Sequence, residues 1–311
     1  MGSGAALKSD AALPWELVIY FSISGLSSIL LLIVNKTLSS SFPFPLATVV
    51  IQNVCALLCT IAYALMRPGF VSPVRFRHFL PSFPGSILFV LVLLLSNASL
   101  GYVSLPVFVV ANNLRPLSTA AIEFAYSGAC ISGKRASSLV GIALGAIVTA
   151  LSISDREFKG LTMAAINTPL VSLLNVIDGR FMRSVKHEQT PAGINLYRLI
   201  TSLVLLGGVA LFEEKSPELT DLDIASVKLL LMSGITCTFA GVSLFELQTR
   251  TSATSIQVAN VGFKIITTVV SLFTHGEYPS IAGWAGYAVS TAGVLLYSAD
   301  GWFGATRLKE P

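Results

Sequence analysis

Charge is scarce in this chain. Of 311 residues only 12% are Asp, Glu, Lys or Arg, about half the roughly one-quarter share of a soluble domain. That excludes a disordered chain and an ordinary cytosolic enzyme. Cysteine is scarce too, with four residues: Cys55 and Cys59 stand four apart in an apolar stretch, and Cys130 and Cys237 are isolated. No pair has zinc spacing with histidines nearby, and a disulfide framework is not expected, so they read as small buried apolar residues. The three histidines, His78, His187 and His275, have neither metal spacing nor a Ser/Asp constellation beside them. No metal, no cofactor and no catalytic residue are therefore expected. There is no nucleophile–base pair or interfacial acid cluster, and no loop long enough to fold as a catalytic module, so an enzyme is not expected. A net charge of +4 from scattered basic residues excludes nucleic acid as a partner. No cleavable signal peptide is expected, because the first apolar stretch is too long for one. Met1-Gly2 opens a myristoylation pattern, but Ala6 stands where Ser or Thr is needed.

What the chain has in abundance is apolar sequence: 53% hydrophobic residues and a mean hydropathy of +0.76. A bilayer core takes about 20 apolar residues per helix. Ten segments of that kind occur, at 15–37, 45–66, 80–102, 105–126, 136–153, 160–181, 191–212, 225–247, 254–274 and 280–299. The expected fold is an all-α membrane protein of ten transmembrane helices, one transporter domain over 1–311, embedded in the lipid bilayer. The breaks carry Pro, Gly and charge, as at Arg67-Pro68-Gly69 and Glu213-Glu214-Lys215-Ser216-Pro217. With the N-terminus cytosolic, twelve of the twenty Lys and Arg residues fall on the cytosolic side and five opposite. Asp155, Glu157, Glu213, Glu214, Glu218, Asp221, Asp223 and Glu277 all fall opposite. This bias predicts both termini in the cytosol. Gly141-x-x-x-Gly145 and Ala282-x-x-x-Gly286 read as helix-packing motifs.

Ten helices with both ends on one side divide into two five-helix halves, 14–154 and 159–300, and an odd number per half inverts the second. In inverted repeats the site lies at the repeat interface. A trace of the repeat is visible in sequence. The fourth segment reads Ala111-Asn112-Asn113-Leu114-Arg115, and its counterpart, the ninth, reads Ala259-Asn260-Val261-Gly262-Phe263-Lys264. Arg115, Lys264 and Arg198 lie inside predicted helices, where each costs about 2.5–3.5 kcal/mol on insertion scales. Three cations at similar depth predict a central anion site, with phosphate the natural match. The alternative is internal pairing with Glu123, Asp178 or Glu246. Asn112, Asn113 and Asn260 are buried amides that read a base or sugar edge, or tie helices together; Tyr197 stacks on a base or fills an interface. Glu123 and Lys36 are the candidate gate residues. Asn35-Lys36-Thr37 and Asn97-Ala98-Ser99 match the glycosylation sequon, but their place in membrane helices predicts that neither is used.

The ten segments, the two halves and Val34-Asn35-Lys36 at the end of the first segment resemble the nucleotide-sugar and triose-phosphate transporters of the drug/metabolite transporter superfamily. Ser104-Leu105-Pro106-Val107-Phe108 is similar to the start of the fourth helix in nucleotide-sugar transporters. That pattern expects a basic residue at Asn112 and an acid at Glu123. The acid is present, and Arg115 one turn on stands in for the base. Ser252-Ala253-Thr254 resembles the opening of the ninth helix in GDP-mannose transporters. Of that helix's Gly-Ala-Leu-Asn-Lys motif only Lys264 matches, and of the seventh helix's Phe-Tyr-Asn-Asn only Tyr197. The end, Gly293-Val294-Leu295-Leu296-Tyr297-Ser298, looks more like the phosphate-translocator branch. The resemblance implies a secondary antiporter exchanging a nucleotide sugar, a GDP- or UDP-sugar favoured, for a nucleoside monophosphate across the Golgi or endoplasmic reticulum membrane. Lys264, Arg115 and Arg198 would neutralise phosphate, while Asn112, Asn113, Asn260 and Tyr197 would contact base or sugar. One alternative is a translocator of the plastid inner envelope membrane moving a phosphorylated sugar against phosphate, against which stands the short stretch before the first segment, too short for a transit peptide. Another is a non-transporting membrane scaffold. A homodimer is left open. Arg307 and Lys309 loosely resemble a retrieval signal of the early secretory pathway.

Overall fold

The computed structural model describes residues 14–72, 76–128, 132–150, 158–211, 223–274 and 280–304. Cys130, His275, the C-terminal Arg307 and Lys309, and the loop acids Asp155, Glu157, Glu213, Glu214, Glu218, Asp221 and Glu277 lie outside them. The described chain is helical, with no strand among the described residues: α1 (Pro14–Ser41), α2 (Pro45–Met66), α3 (Phe76–Leu100), α4 (Leu105–Asn112), α5 (Arg115–Ser127), α6 (Gly133–Ala150), α7 (Phe158–Val185), α8 (Pro191–Ala210), α9 (Ile224–Arg250), α10 (Ala253–Thr274) and α11 (Ile281–Gly304). Seven of these, α1–α3 and α7–α10, are long and apolar enough to cross a membrane.

The helix boundaries follow local chemistry. Proline opens α2 and α8, where its missing N–H is no loss. The Thr190 hydroxyl accepts from Gly193 N at 3.1 Å to cap α8, and the Asp223 carboxylate accepts from Ser226 N at 2.8 Å to cap α9. Gly128 at φ 65° stops α5 in the left-handed conformation that glycine tolerates. Every predicted segment is occupied by a helix, with one difference. The fourth segment, 105–126, holds two helices, α4 and α5, interrupted at residues 113–114. Pro116 has no N–H to donate to the Asn112 carbonyl, so the regular pattern cannot run through. Asn113 N still donates to Val109 O at 3.0 Å, and Leu114 N makes only a tighter, longer bond to Ala111 O at 3.4 Å.

Polarity is distributed inside out relative to a soluble protein. Buried positions include Gln52, Asn53, Asn112, Asn167, Asn175 and Gln248, while Leu58, Leu65, Val204, Phe273 and Ile281 are exposed. That suits a chain whose solvent is hydrocarbon.

Small residues let α6 and α11 approach closely. A Cβ on Gly145 would collide with the Gly286 carbonyl and meet Ser290 N at 2.8 Å. One on Gly293 would lie 2.8 Å from Ser138 O. Gly141, the other half of the sequence motif, has open space around it. Overpacking costs about 1–3 kcal/mol. Gly145→Ala is therefore expected to lower the melting temperature in detergent, and Gly141→Ala to leave it unchanged or slightly raised.

Candidate functional site

The interruption between α4 and α5 is held open by its neighbours. On α7 the Thr168 hydroxyl donates to Ala111 O at 3.2 Å and the Ser172 hydroxyl to Arg115 O at 3.3 Å. Two hydroxyls one turn apart thus grip the two sides of the break. About two turns before the break, near the start of α4, the Tyr287 hydroxyl of α11 donates to Pro106 O at 2.8 Å and is itself met by the Thr268 hydroxyl of α10 at 3.2 Å. Thr268 is one turn beyond Lys264, so this chain of bonds turns the Lys264 face of α10 towards α4.

At the break, polar groups are left without partners. Asn112 is 1% exposed, with neither amide atom hydrogen-bonded. Asn113 Oδ1, Arg115 Nε and Thr119 Oγ1 are likewise buried and unpartnered. Buried polar atoms are normally satisfied, so this concentration is unusual. Arg115 is the first residue of α5, with Thr119 one turn on along the same face. Lys264 is on α10, which packs against both α4 and α5 and so lies across from Arg115. Among the described residues no carboxylate pairs with either. Asn260 is half-buried on α10, and Gln257, buried with Oε1 unpartnered, is one turn before it. Sequence reasoning passed over Gln257 and Thr119. The signal was there in the spacing of Gln257, Asn260, Lys264 and Thr268, which repeats along one helix face.

Arg198 is arranged differently. Its guanidinium makes a two-pronged pair with Asp178, at 2.6 Å and 2.5 Å. It lies over the Phe245 and Phe89 rings, 4.8 Å and 5.3 Å from their centroids. Gly85 on α3 makes the room, since a Cβ there would sit 2.7 Å from Asp178 Oδ1. Tyr197 packs beside it in an apolar cluster with Met182, Val185, Ile194 and Phe245. Of the three predicted cations, then, one is engaged by an internal carboxylate, and two lie on the packed helices α5 and α10 without one among the described residues. The two groups are joined by one face of α7, which carries Thr168, Ser172, Asn175 and Asp178. Ser172 and Asp178 are about 9 Å apart along its axis. Asn175 Oδ1 accepts from Gln248 Nε2 at 3.2 Å.

The candidate gate residues lie at opposite ends. The Glu123 carboxylate caps the start of α10, accepting from Ala253 N at 2.9 Å, Thr254 N at 3.3 Å and the Thr254 hydroxyl at 2.5 Å. A carboxylate suits a helix N-terminus. Further bonds cross at that same end: Arg250 to Glu16 at 2.6 Å, Arg77 and His78 to Glu188, and the Ser72 hydroxyl to Gln189 at 2.5 Å. At the far end the Lys36 ammonium donates to Leu100 O at 3.1 Å and Val103 O at 2.6 Å. Among the described residues no group of three or more His, Cys, Asp or Glu could hold a metal ion.

Comparison with known proteins meets this geometry. The sequence profile of the Triose-phosphate Transporter family matches residues 15–298, and the chain belongs to that family, as a multi-pass membrane protein. Among curated relatives, a "Probable sugar phosphate/phosphate translocator" of Arabidopsis thaliana is 24% identical over 281 residues, 88% of this chain and 91% of that one. UDP-uronic acid transporter 1 of Arabidopsis thaliana is 22% identical over 306 residues, 95% of this chain and 97% of that one. A crystal structure superimposes with a TM-score of 0.67 at 15% identity, covering 93% of this chain and 99% of that one; this likeness concerns the fold alone.

Removing one partner of a buried ion pair strands the other, at a cost of about 3–5 kcal/mol. Asp178→Asn is expected to lower the melting temperature sharply. The double variant Asp178→Leu/Arg198→Met is expected to recover most of the loss, read in the same melting assay.

Proposed function

We propose that the protein is a secondary antiporter that exchanges a nucleotide sugar, a GDP- or UDP-sugar favoured, for a nucleoside monophosphate. The observation that carries this reading is Arg115 on α5 and Lys264 on α10, the helix packed against it: two basic residues beside a broken helix, with unpartnered polar atoms around Arg115 and no carboxylate paired with either among the described residues. Like charges in a low-dielectric interior repel, and an anionic substrate relieves that repulsion. Phosphate is the fitting anion, because Arg offers a planar fork and Lys a compact charge. Broken helices at mid-bundle are where transporters bind charged substrates. Asn112, Asn113 and Asn260 contact the base or sugar. Arg198 and Tyr197 stand in support, and Arg198 reaches substrate only when Asp178 releases it. No reaction is catalysed.

The two halves, 14–154 and 159–300, rock about this site in a ten-pass, inverted-repeat arrangement with both termini cytosolic. The pattern of packing supports it. If α1 corresponds to α7, α2 to α8 and α3 to α9, and α4–α5 correspond to α10, then α1 against α9 is matched by α7 against α3. Likewise α2 against α9 is matched by α8 against α3, and α1 against α10 by α7 against α4 and α5. Glu123 closes the cytosolic end, and Lys36 secures the opposite one. The membrane is that of the Golgi or endoplasmic reticulum.

A second reading, a plastid-type translocator exchanging a phosphorylated sugar for phosphate, draws on the Arabidopsis relative of that name and on the same pair of cations. Counterflow decides between them. Purified protein in liposomes is preloaded with unlabelled GMP, UMP, CMP, AMP or phosphate, and uptake of the matching labelled anion is measured. Stimulation by one nucleotide is expected, and stimulation by phosphate alone selects the second reading. Lys264→Ala is expected to abolish exchange while melting as a folded protein; normal exchange by that variant removes Lys264 from the site.

A further inference from the structure

A cavity of about 330 Å³ opens at the Lys36 end of the bundle, among α1, α2, α3 and α7. It is distinct from the break between α4 and α5. Asn35 lies ten residues beyond Gly25, the position on α1 that packs against Phe263 beside Lys264, which is about 15 Å along the helix axis. The volume falls within the range of small-molecule pockets, about 300–1,000 Å³.

Its lining has a definite chemistry. Asn35, Thr48 and Asn97 face it, each less than a tenth exposed. Asn35 Oδ1 is taken by Gln52 Nε2 at 2.6 Å, which leaves its amide N–H₂ to donate. Asn97 Nδ2 is taken by Leu93 O at 3.0 Å, which leaves its carbonyl oxygen to accept. The Thr48 hydroxyl has no protein partner among the described residues, and it does both. Phe44 and Tyr102 add aromatic surface. No charged side chain is among the described residues of the lining. The neighbouring cations are occupied elsewhere: Lys36 by two backbone carbonyls, and Lys159 by the Tyr102 ring and hydroxyl. Both asparagines of the glycosylation sequons thus point inward, into one cavity.

A phosphate or carboxylate entering here would lose its water without gaining a cation, which is costly. A ring of hydroxyls suits the lining, because each hydroxyl both donates and accepts and the apolar ring faces find aromatic surface. We propose that this cavity is a sugar subsite: it takes the uncharged, hydroxylated ring of the substrate, on the Lys36 side of the cation pair. The proposal rests on the transport reading above and adds a preference for neutral hexoses over uronic acids.

The test compares matched competitors against labelled uptake into liposomes: UDP-glucose with UMP, GDP-mannose with GMP, glucose 6-phosphate with inorganic phosphate. Ala98→Leu fills the cavity, and Thr48→Val removes one hydroxyl at nearly constant size. Both variants are checked by melting. The half-inhibiting concentration of the sugar-bearing competitor is expected to rise about fivefold to tenfold, the size of one or two lost neutral hydrogen bonds. The sugar-free anion stays within about twofold. In the wild type UDP-glucose outcompetes UDP-glucuronate. Equal weakening of both competitors makes the cavity a passage rather than a subsite, and no change in either leaves it holding water; each result overturns the proposal. Silence from every anion is the failure of the transport reading instead. In that case free glucose and galactose decide the subsite: they raise the melting temperature of the wild type and not of Ala98→Leu, and the absence of that difference overturns it.

Discussion

Pro116 is the residue around which the interior is arranged. In hydrocarbon a backbone carbonyl without a donor costs several kcal/mol, and a proline inside an apolar segment creates such a carbonyl at Asn112. The helix cannot close over it, so the chain turns through 113–114 and begins again at Arg115. Thr168 and Ser172 of α7 reach the carbonyls on either side, and this fixes α7 against the break. The same face of α7 continues to Asn175, which meets Gln248, and to Asp178, which holds Arg198. A single helix face thereby bonds the backbone on both sides of the break at one level and neutralises a guanidinium at another. Tyr287 and Thr268 tie α11 and α10 to the start of α4. These bonds act together with shared apolar clusters, Ala120 with Val258, Val261 and Val294, and Phe108 and Ala111 with Ala164, to bring α4, α5, α7, α10 and α11 together.

The two ends of the bundle are built from different interactions. The end bearing Glu16 and Arg250 is crossed by charge-assisted bonds, including the Glu123 carboxylate on the start of α10 and Arg77 on Glu188. At the other end the Lys36 ammonium donates to two backbone carbonyls, Ser226 meets Ser41 at 3.4 Å, and the cavity is open. Under the transport reading this is the chain with one side shut. The bonds that close it suit a reversible closure, since most of them lie at helix ends. Arg77 and Glu188 are well exposed there, and water can solvate both when they part. A fully buried pair such as Arg198–Asp178 could not separate so cheaply.

Much of the architecture was legible because membrane sequence is explicit. Apolar runs, proline and glycine breaks and buried cations are all visible without a structure, and the ten segments each found a helix. Two features were not. The break in the fourth segment was hidden by its continuous hydrophobicity, although Pro116 four residues after Asn112 was the cue. The separation of Arg198 from Arg115 and Lys264 could not be read from depth alone. Depth says that a cation is buried; it does not say which neighbour it faces. Asp178 is twenty residues away on another helix, and it is Gly85 on a third helix that lets the pair form. Asn35 and Asn97 illustrate the same point, since two matches to one surface-modification motif turned out to line one interior cavity.

The engagement of Arg198 changes the charge arithmetic of the site. Three free cations would present a charge of +3, but with Asp178 cancelling Arg198 the Arg115–Lys264 pair presents +2 when both are protonated. A nucleoside monophosphate, a sugar phosphate and the diphosphate bridge of a nucleotide sugar each carry about two negative charges near neutral pH. A site of +2 is balanced by any of them and over-neutralised by none. In the empty site Arg115 and Lys264 have no paired carboxylate among the described residues, and an anion that favours the charged form of both makes the loaded protein the balanced species. A carrier that passes through its conformational change more readily when balanced than when empty is an exchanger. Under the transport reading, that single electrostatic condition links the buried cations to exchange, whichever phosphorylated sugar occupies the site.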